Sequence, residues 1–538
     1  MLSETRSSTG AMRSFMNIQQ AFATALGLQQ SGQAGEAARL YGEIVATDPQ
    51  FAPAVNNLGL LRADAGRDWE AVALFRRALS LAPNSLNGWI NLGALLVRLG
   101  RPDEAVRAYR AAIRLKPDQP ALLNELGIQL ERLKRPEEAS DIFARAFALA
   151  PDDAEIANNH GAMLRMAHRL DEAAACFRRA IALNPQHAGA YSNLGSTVKD
   201  KGVFWEALLG FRRATRLDPE FAGAYWNESL VRLLLGDFVQ GWRGYEWRWK
   251  HGRLPSPQRS FVQPRWDGSP LQGRRLLVYW EQGFGDVLQF VRYLPLLSQM
   301  AGGQPVYLEC QRPLLPVLRR LPGTIAVETG GPLPDFDVQI PVLSLPALFG
   351  TRLETVPSRV PYLTAEPDLA ARWGERLKGL EKDGGGLKVG IVWAGSPTHG
   401  NDKNRSIGLA PFARLAAIPG VSLVSIQKGP TEGQAANPPG GFPLLNLSPD
   451  IHDFADTAAI MAGLDLMVCV DTSVAHLAGA LGVPVWVLVP FAPDWRWMLD
   501  RDDSPWYPTM RLFRQDRPGS WDGAIDRLER ALRERASQ

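Results

Sequence analysis

A period of 34 residues governs the N-terminal half of the chain. Proline recurs at Pro49, Pro83, Pro117, Pro151, Pro185 and Pro219, and alanine at Ala37, Ala71, Ala105, Ala139, Ala173 and Ala207. Glycine keeps the same step at Gly59, Gly93, Gly127, Gly161 and Gly195. Three registers sharing one step over this length require a repeat architecture. Each unit reads as two helices. In residues 52–85 the run NNLGLLRAD forms the first helix, and Gly66 supplies the left-handed turn at its end. The second helix begins near Trp69-Glu70-Ala71, and later copies open with Pro102-Asp103-Glu104 and Pro136-Glu137-Glu138. Proline suits the first turn, and acids suit the positive end of the helix dipole. Small residues such as Gly59 and Ala71 let the paired helices approach, and Pro83 ends the second. One such unit cannot bury its own apolar face, but a stack buries a continuous core and leaves a concave groove.

This pattern resembles the tetratricopeptide repeat, with six full copies from about 18 to 221 and a degenerate seventh to about 250. The groove carries a second series, Asn57, Asn91, Asn159, Asn193 and Asn227, at one position of the first helix; Glu125, with Asn124 beside it, interrupts the series. A carboxamide both donates and accepts, so such a row can clasp the backbone of an extended peptide. The row resembles the asparagine ladder in the repeat domain of protein O-GlcNAc transferases. Alternatively, it reflects only the frequency of NLG in repeat helices.

With 46% hydrophobic and 21% charged residues, the 538-residue chain has an ordinary globular composition and room for several domains. Lys and Arg (59) nearly balance Asp and Glu (56), so neither nucleic acid nor an acidic membrane is demanded as a partner. Cys176, Cys310 and Cys469 are too dispersed for a disulfide framework or a zinc site. There is no signal-peptide pattern and no apolar run of membrane-spanning length, which makes a reduced, cytoplasmic compartment the expectation.

From 251 the composition changes. RLPSPQRSFVQPRWDGSPLQG reads as a proline-rich linker lying on a surface, and short β-branched runs then alternate with helical stretches. RLLVYW, PVYLEC, IAVE and FDVQI are the strands of a first series; LKVGIVWAG, VSLVSIQK, PLLNL, LMVCVD and PVWVLVP are those of a second. Such alternation argues parallel sheets covered by helices, here two Rossmann-like lobes facing a cleft. The expected organisation is α plus α/β: a segment 1–17, a solenoid over 18–250, a linker 251–272, a first lobe 273–365, a connection 366–386 and a second lobe 387–538. The terminal helix WDGAIDRLERALRERA is expected to pack back across the lobes.

Two loops stand at strand ends, where such lobes bind ligands. The first is Glu281-Gln282-Gly283-Phe284-Gly285-Asp286. Its glycines permit a tight turn, and Asp286 is either a group at the cleft mouth or a helix N-cap. The second is Asp471-Thr472-Ser473-Val474-Ala475-His476, opening a helix. Its exposed N–H groups and two hydroxyls make a diphosphate cradle without a Walker lysine, unless they serve only as caps with His476 packed inside. Arg405 and Lys428 border strand ends and are basic groups to complete the cradle, with Lys403 a third; each has a solvated surface role as the alternative. Asp335-Phe336-Asp337 matches a metal-and-nucleotide motif of another fold but falls on or before a strand. The tryptophans of APDWRWMLDRDDSPWYP serve packing between the second lobe and the closing helix, or base stacking.

GFGDVLQFVRYLPLL, VGIVWAGSPTHGNDKNRS, VCVDTSVAHLAGALGVPVWVLVP and DWRWMLDRDDSPWYPTMRLFRQ resemble motifs of heptosyltransferase-like glycosyltransferases of the GT-B fold, in the bacterial branch fused to tetratricopeptide repeats. The resemblance covers most of 236–515. It implies inverting, metal-independent sugar transfer from a nucleotide sugar, which is a substrate; no cofactor is implied. Asp286 matches the general base. Thr472, Ser473 and His476 match positions around the donor diphosphate, Asp471 supports their loop, Gly285 beside the base is counted with the donor-binding residues, and Arg405 matches a basic donor contact. Lys428 is reminiscent of a phosphate-binding lysine in protein O-GlcNAc transferases. Ser473 stands where heptosyltransferases often have glycine, so heptose is not assumed as the sugar. The implied acceptor is a protein hydroxyl recruited by the repeats, such as that of a bacterial surface or flagellar protein. A lipid-linked or surface glycan is the alternative, and a scaffold with inactive lobes a third reading.

Overall fold

The computed structural model describes residues 7–252, 259–380 and 386–538. Residues 1–6, 253–258 and 381–385, which belong to the expected N-terminal segment, linker and connection, lie outside the described residues. The chain divides into two compact units, Met1–Thr197 and Val198–Gln538. No helix among the described residues is long and apolar enough to cross a membrane.

The first unit is helical throughout. Ser7–Gln30 pairs with Ala34–Thr47, Ala52–Asp64 with Asp68–Leu81, Leu86–Arg98 with Pro102–Leu115, Pro120–Arg132 with Pro136–Leu149, and Ala154–Met166 with Leu170–Leu183. The first helix already begins at Ser7, inside the segment expected to precede the repeats, because no proline interrupts it. The glycine series does its work through close approach. A Cβ added at Gly93 would stand 2.6 Å from Tyr109 Cε1, and one at Gly127 would stand 2.7 Å from Phe143 Cε1. Both rings are buried, so each pair of helices meets over a face that only hydrogen can occupy. The turn between paired helices is left-handed at Gly66 (φ 72°) and Gly100 (φ 66°); Lys134 (φ 56°) and His168 (φ 58°) occupy the same lattice position. A side chain there costs about 1 kcal/mol. Neighbouring copies are tied by arginines on the second helix. Arg77 and Arg145 each donate at 2.7 Å to the carbonyl of the proline ending the previous copy's second helix, Pro49 and Pro117 respectively.

The second unit holds two all-parallel sheets. Strands β1 (Leu276–Tyr279), β2 (Val306–Cys310), β3 (Thr324–Glu328) and β4 (Val338–Pro341) form the first, in the order β3-β2-β1-β4. The second contains β5 (Leu387–Val392), β6 (Val421–Ser425), β7 (Leu445–Asn446), β8 (Leu466–Val470), β9 (Val485–Val489) and β10 (Met510–Arg514), in the order β10-β9-β8-β5-β6-β7. Every strand expected from the sequence is present; β10, whose alternation is broken by prolines and charges on either side, was not among them. β1 has β2 on one side and β4 on the other, and β5 likewise lies between β6 and β8. These are the points where strand order reverses, the places at which parallel sheets open a crevice at their carboxyl ends.

Four expectations are corrected. The boundary falls inside the repeats rather than at 251. The reason is aromatic burial: Phe238 and Trp242 of the helix Phe238–Tyr245 pack on Trp506 (6.0 Å between ring centroids) and Trp495 (5.2 Å). The same contacts show that the tryptophans of APDWRWMLDRDDSPWYP pack against the end of the repeats and not against the closing helix. That helix, Asp522–Ala536, does not cross between the sheets. Its stripe Ala524, Ile525, Leu528, Ala531 and Leu532 joins the core on one face of the second sheet with Ile391, Leu423 and Val468. The end of the linker does not simply lie on a surface, since Trp266 is buried and its backbone N–H donates to the Gln339 carbonyl at 2.8 Å beside β4. Asp337 of the Asp335-Phe336-Asp337 motif accepts from Arg275 N–H at 2.7 Å, which accounts for it structurally.

A continuous apolar core runs from the first sheet to one face of the second and includes Val278, Leu308, Trp506, Met467 and Val487. Gly127→Val should overpack the Phe143 contact and lower stability by about 1–3 kcal/mol. Thermal unfolding of the full chain, followed by circular dichroism at helical wavelengths, measures it.

Candidate functional site

β1 delivers its chain into Trp280–Gly283 and then into the helix Phe284–Phe290. Gly283, not Asp286, is the N-cap, and Asp286 caps the helix start from the third helical position instead. Asp286 is the third helical residue. Its Oδ2 reaches back to accept the Gly283 N–H at 2.8 Å, leaving Oδ1 to accept from the Arg496 guanidinium. Burial pushes the Asp286 carboxyl above its ordinary range, and Arg496 is the main opposing charge.

Arg496 lies in the turn Trp495–Trp497 that follows β9. Its Nη1 donates to Asp494 at 2.9 Å and its Nε to Gln289 at 2.5 Å, while the guanidinium lies over the Trp495 ring at 4.4 Å. Three acceptors from two sheets therefore hold one buried cation.

β8 runs directly into Asp471, and the helix Ser473–Ala480 follows. The Asp471 carbonyl accepts from Arg405 Nη1 at 2.9 Å, which brings the loop after β5 to the end of β8. Thr472 occupies the N-cap position, but its hydroxyl makes no cap; it is buried with no partner. His476 Nδ1 is 3.0 Å from the Tyr507 hydroxyl, and its ring stacks on Trp497 at 5.4 Å and 17°. Burial, followed by the positive field of Arg496, Arg292 and Arg405, holds His476 well below its ordinary pKa, so the imidazole is neutral.

Gly285 joins the two loops. A Cβ there would stand 2.8 Å from His476 Cδ2 and 3.4 Å from Ser473 Cα. The helix starts after β1 and β8 thus touch where Gly285 leaves room. Phe284 also meets Phe454, with ring centroids 5.3 Å apart. The structure accordingly brings Asp286, Gly285, Arg405, Asp471, Thr472, Ser473 and His476 into one neighbourhood. Lys428 is engaged elsewhere: its Nζ donates to the Ser448 carbonyl at 2.9 Å and pairs with Glu432 at 3.2 Å.

Sequence reasoning missed Arg496, Asp494, Gln289 and His399. Arg405, Asp494, Asp286 and Asp402 all act electrostatically on the exposed His399, whose pKa is lowered chiefly by desolvation from its surroundings. The run DWRW held the signal, but its tryptophans suggested packing, and the charges between them passed as surface groups. Asp471 carries the clearest shift. Burial and the neighbouring Asp494 push it up to about 6, against the pull of Arg405.

In the first unit the asparagine series is wired together. Asn91 donates to Asn56 at 3.4 Å, Asn56 to Asn57 at 3.2 Å, and Asn57 to the Tyr41 hydroxyl at 3.1 Å. A second run goes from Asn193 to Asn158 (2.9 Å), to Asn159 (3.2 Å), to Asn124 (3.0 Å). The break between them comes where Glu125 replaces the second asparagine of one pair and Ile90 the first of the pair before it. Asn227 belongs to the second unit.

The tetratricopeptide repeat family matches residues 22–85, 90–154 and 164–198, so this region carries such repeats and offers a protein-binding surface. Protein FlbA of Caulobacter vibrioides is 30% identical over 339 residues, an overlap of 57% of this chain and 54% of FlbA. The chain thus spans about half the length of that curated relative. Among solved structures, YrrB, described as a tetratricopeptide protein with an unusual peptide-binding site, is 25% identical with a TM-score of 0.32, covering 35% of this chain and 96% of YrrB. Pseudomonas aeruginosa PilF is 19% identical with a TM-score of 0.35, covering 39% of this chain and 96% of PilF.

A carboxyl whose folded pKa of about 6 exceeds the ordinary 3.8 adds stability only while protonated. That contribution is present below the ordinary value and is lost as pH rises through about 6. Asp471→Asn should therefore gain stability relative to the unaltered chain as pH rises from about 4 to about 7. Melting temperatures of the two proteins across that range measure it.

Proposed function

We propose that this chain is a glycosyltransferase of the GT-B kind. In this reading the first sheet carries the base, the second binds a nucleotide-sugar donor, and the repeats hold a protein acceptor. The contact of Gly285 with His476 and Ser473 carries the reading, because it sets an acidic loop against a helix N-terminus at two strand-order reversals.

The helix Ser473–Ala480 points its unsatisfied N–H groups and positive dipole end at the Thr472 loop. The unpartnered Thr472 hydroxyl and the Arg405 guanidinium add donors for a diphosphate. Asp286 accepts the proton of an acceptor hydroxyl while the freed oxygen attacks the anomeric carbon. The bond from that carbon to the donor phosphate breaks, and the departing diphosphate takes up the negative charge beside Arg405 and the helix N-terminus. Arg496 favours the ionised form of Asp286, which a buried carboxyl would otherwise lose. Neutral His476 packs the two loops together without adding charge. Lys428 takes no part in this reading.

The asparagine rows support a protein acceptor. After the bonds described, Asn159 retains an unused amide hydrogen and an unused lone pair. These suit the N–H and C=O groups of an extended chain.

Asp286→Asn should keep fold and nucleoside-diphosphate binding but lower transfer by about 100-fold or more. Thr472→Ala with Arg405→Ala should instead lose donor binding, abolishing most thermal protection by UDP, GDP or ADP. Normal transfer by the first variant, or normal nucleotide affinity in the second, refutes the corresponding role.

For the acceptor, Asn159→Ala with Asn193→Ala should spare donor hydrolysis. It should weaken protein modification about tenfold or more, each lost backbone bond being worth about 1 kcal/mol. Intact-mass spectra of cellular proteins from strains expressing either form decide it. Equal modification would favour a glycan acceptor.

A further inference from the structure

We propose that the end of the repeat array belongs to the catalytic centre: the segment Ala222–His251 positions the Asp286 loop through Arg248 and Tyr245. This rests on the reading of Asp286 as the base.

Arg248 is fully buried, as is Glu281. They form a forked pair, with Arg248 Nη2 donating to Glu281 Oε1 at 2.6 Å and Nε to Oε2 at 3.1 Å. The guanidinium is fixed further by the Tyr245 carbonyl (3.1 Å), Glu246 (2.8 Å) and Ser344 Oγ (2.7 Å). Stability alone does not explain a buried ion pair, because well-packed apolar residues of the same volume usually do as well or better. A forked pair does fix a backbone in place.

The fixed backbone is the one leading to Asp286. Next to Glu281, Gln282 adopts φ 63°, a left-handed conformation unfavourable for its side chain. Its amide donates to the Tyr245 hydroxyl at 3.2 Å. Next again is Gly283, whose N–H orients the Asp286 carboxylate at 2.8 Å. Arg248 thus holds Glu281, Tyr245 holds Gln282, and the peptide that follows aims the base. Tyr245 is wedged between Trp226 (4.8 Å between centroids) and Trp242 (5.8 Å), which ties it to the helix Ala222–Leu234 bearing Asn227. Arg248 and Tyr245 touch no reacting atom in this scheme and are positioning residues.

The test uses the full-length chain with Gln282→Gly and Tyr245→Phe. Both delete the amide–hydroxyl bond, and both are compatible with folding: glycine tolerates φ 63° better than glutamine, and phenylalanine keeps the ring. Arg248→Lys, which keeps the charge but loses the fork, is the third variant. Two quantities are read: release of nucleoside diphosphate from UDP-, GDP- and ADP-sugars, and amide hydrogen exchange over 283–290. We expect melting temperatures and nucleoside-diphosphate binding near those of the unaltered chain, release about tenfold slower or more, and faster exchange over that segment. Unchanged exchange in Gln282→Gly and Tyr245→Phe overturns the proposal, with or without a turned-over donor in the panel. So does release within about twofold of the unaltered rate. Asp286→Asn, run alongside, separates the two levels. If it also releases diphosphate at the full rate, the assignment of the base fails. If it is inactive while the loop variants are fully active, only the positioning fails.

Discussion

Arg496 is the charge on which the arrangement of the second unit depends. A guanidinium removed from water is tolerated only when its donors are met, and here Asp494, Gln289 and Asp286 meet them. Two of these acceptors lie on the helix after β1, while Arg496 itself follows β9. The demand for partners therefore draws the two sheets together at the site. The same positive field adds to burial in keeping His476 neutral and opposes the upward pull of burial on Asp286 and Asp471. Removing it would take from Asp286 its main opposing charge and from Asp471 a smaller one behind that of Arg405.

Arg292 plays the corresponding part on the apolar side. It is buried without a carboxylate, donating to the carbonyls of Gln289, Trp506 and Pro357 and to the Tyr362 hydroxyl. Its guanidinium also lies 4.5 Å from the Tyr507 ring centre, and the Tyr507 hydroxyl meets His476. The segment joining the sheets is thereby locked to both. With the core running through both sheets, this is a closed arrangement, and parting the sheets would break the Phe284–Phe454 contact and expose the aromatic cluster around Trp495.

The elements that were legible are those where local chemistry and tertiary packing agree. A 34-residue lattice states its own helix pairs, and strands flanked by glycine and proline mark themselves. Loops at strand ends were legible as candidates because parallel sheets leave no other place for a ligand. Arg496 was hidden because a charge between tryptophans looks like a solvated group until the fold buries it. The unit boundary was hidden because the lattice continues past Thr197 while the packing partner changes; periodicity records local geometry and carries nothing about what covers a helix. Lys428 shows the opposite error, a strand-end cation whose nearest acceptors, Ser448 and Glu432, claim it first.

The wiring of the asparagines has a sense. Each run as a whole passes its hydrogens toward the N-terminus, from Asn91 to Tyr41 and from Asn193 to Asn124, although within each adjacent pair the bond steps one residue forward, from Asn56 to Asn57 and from Asn158 to Asn159. Each donor amide spends one hydrogen on the next member of its run, so the hydrogens and lone pairs left over inherit the same order. Such a row has a head and a tail. Two polypeptide strands laid on it in opposite directions would meet different sequences of donors and acceptors, and the surface would distinguish the direction of a chain before it read a single side chain.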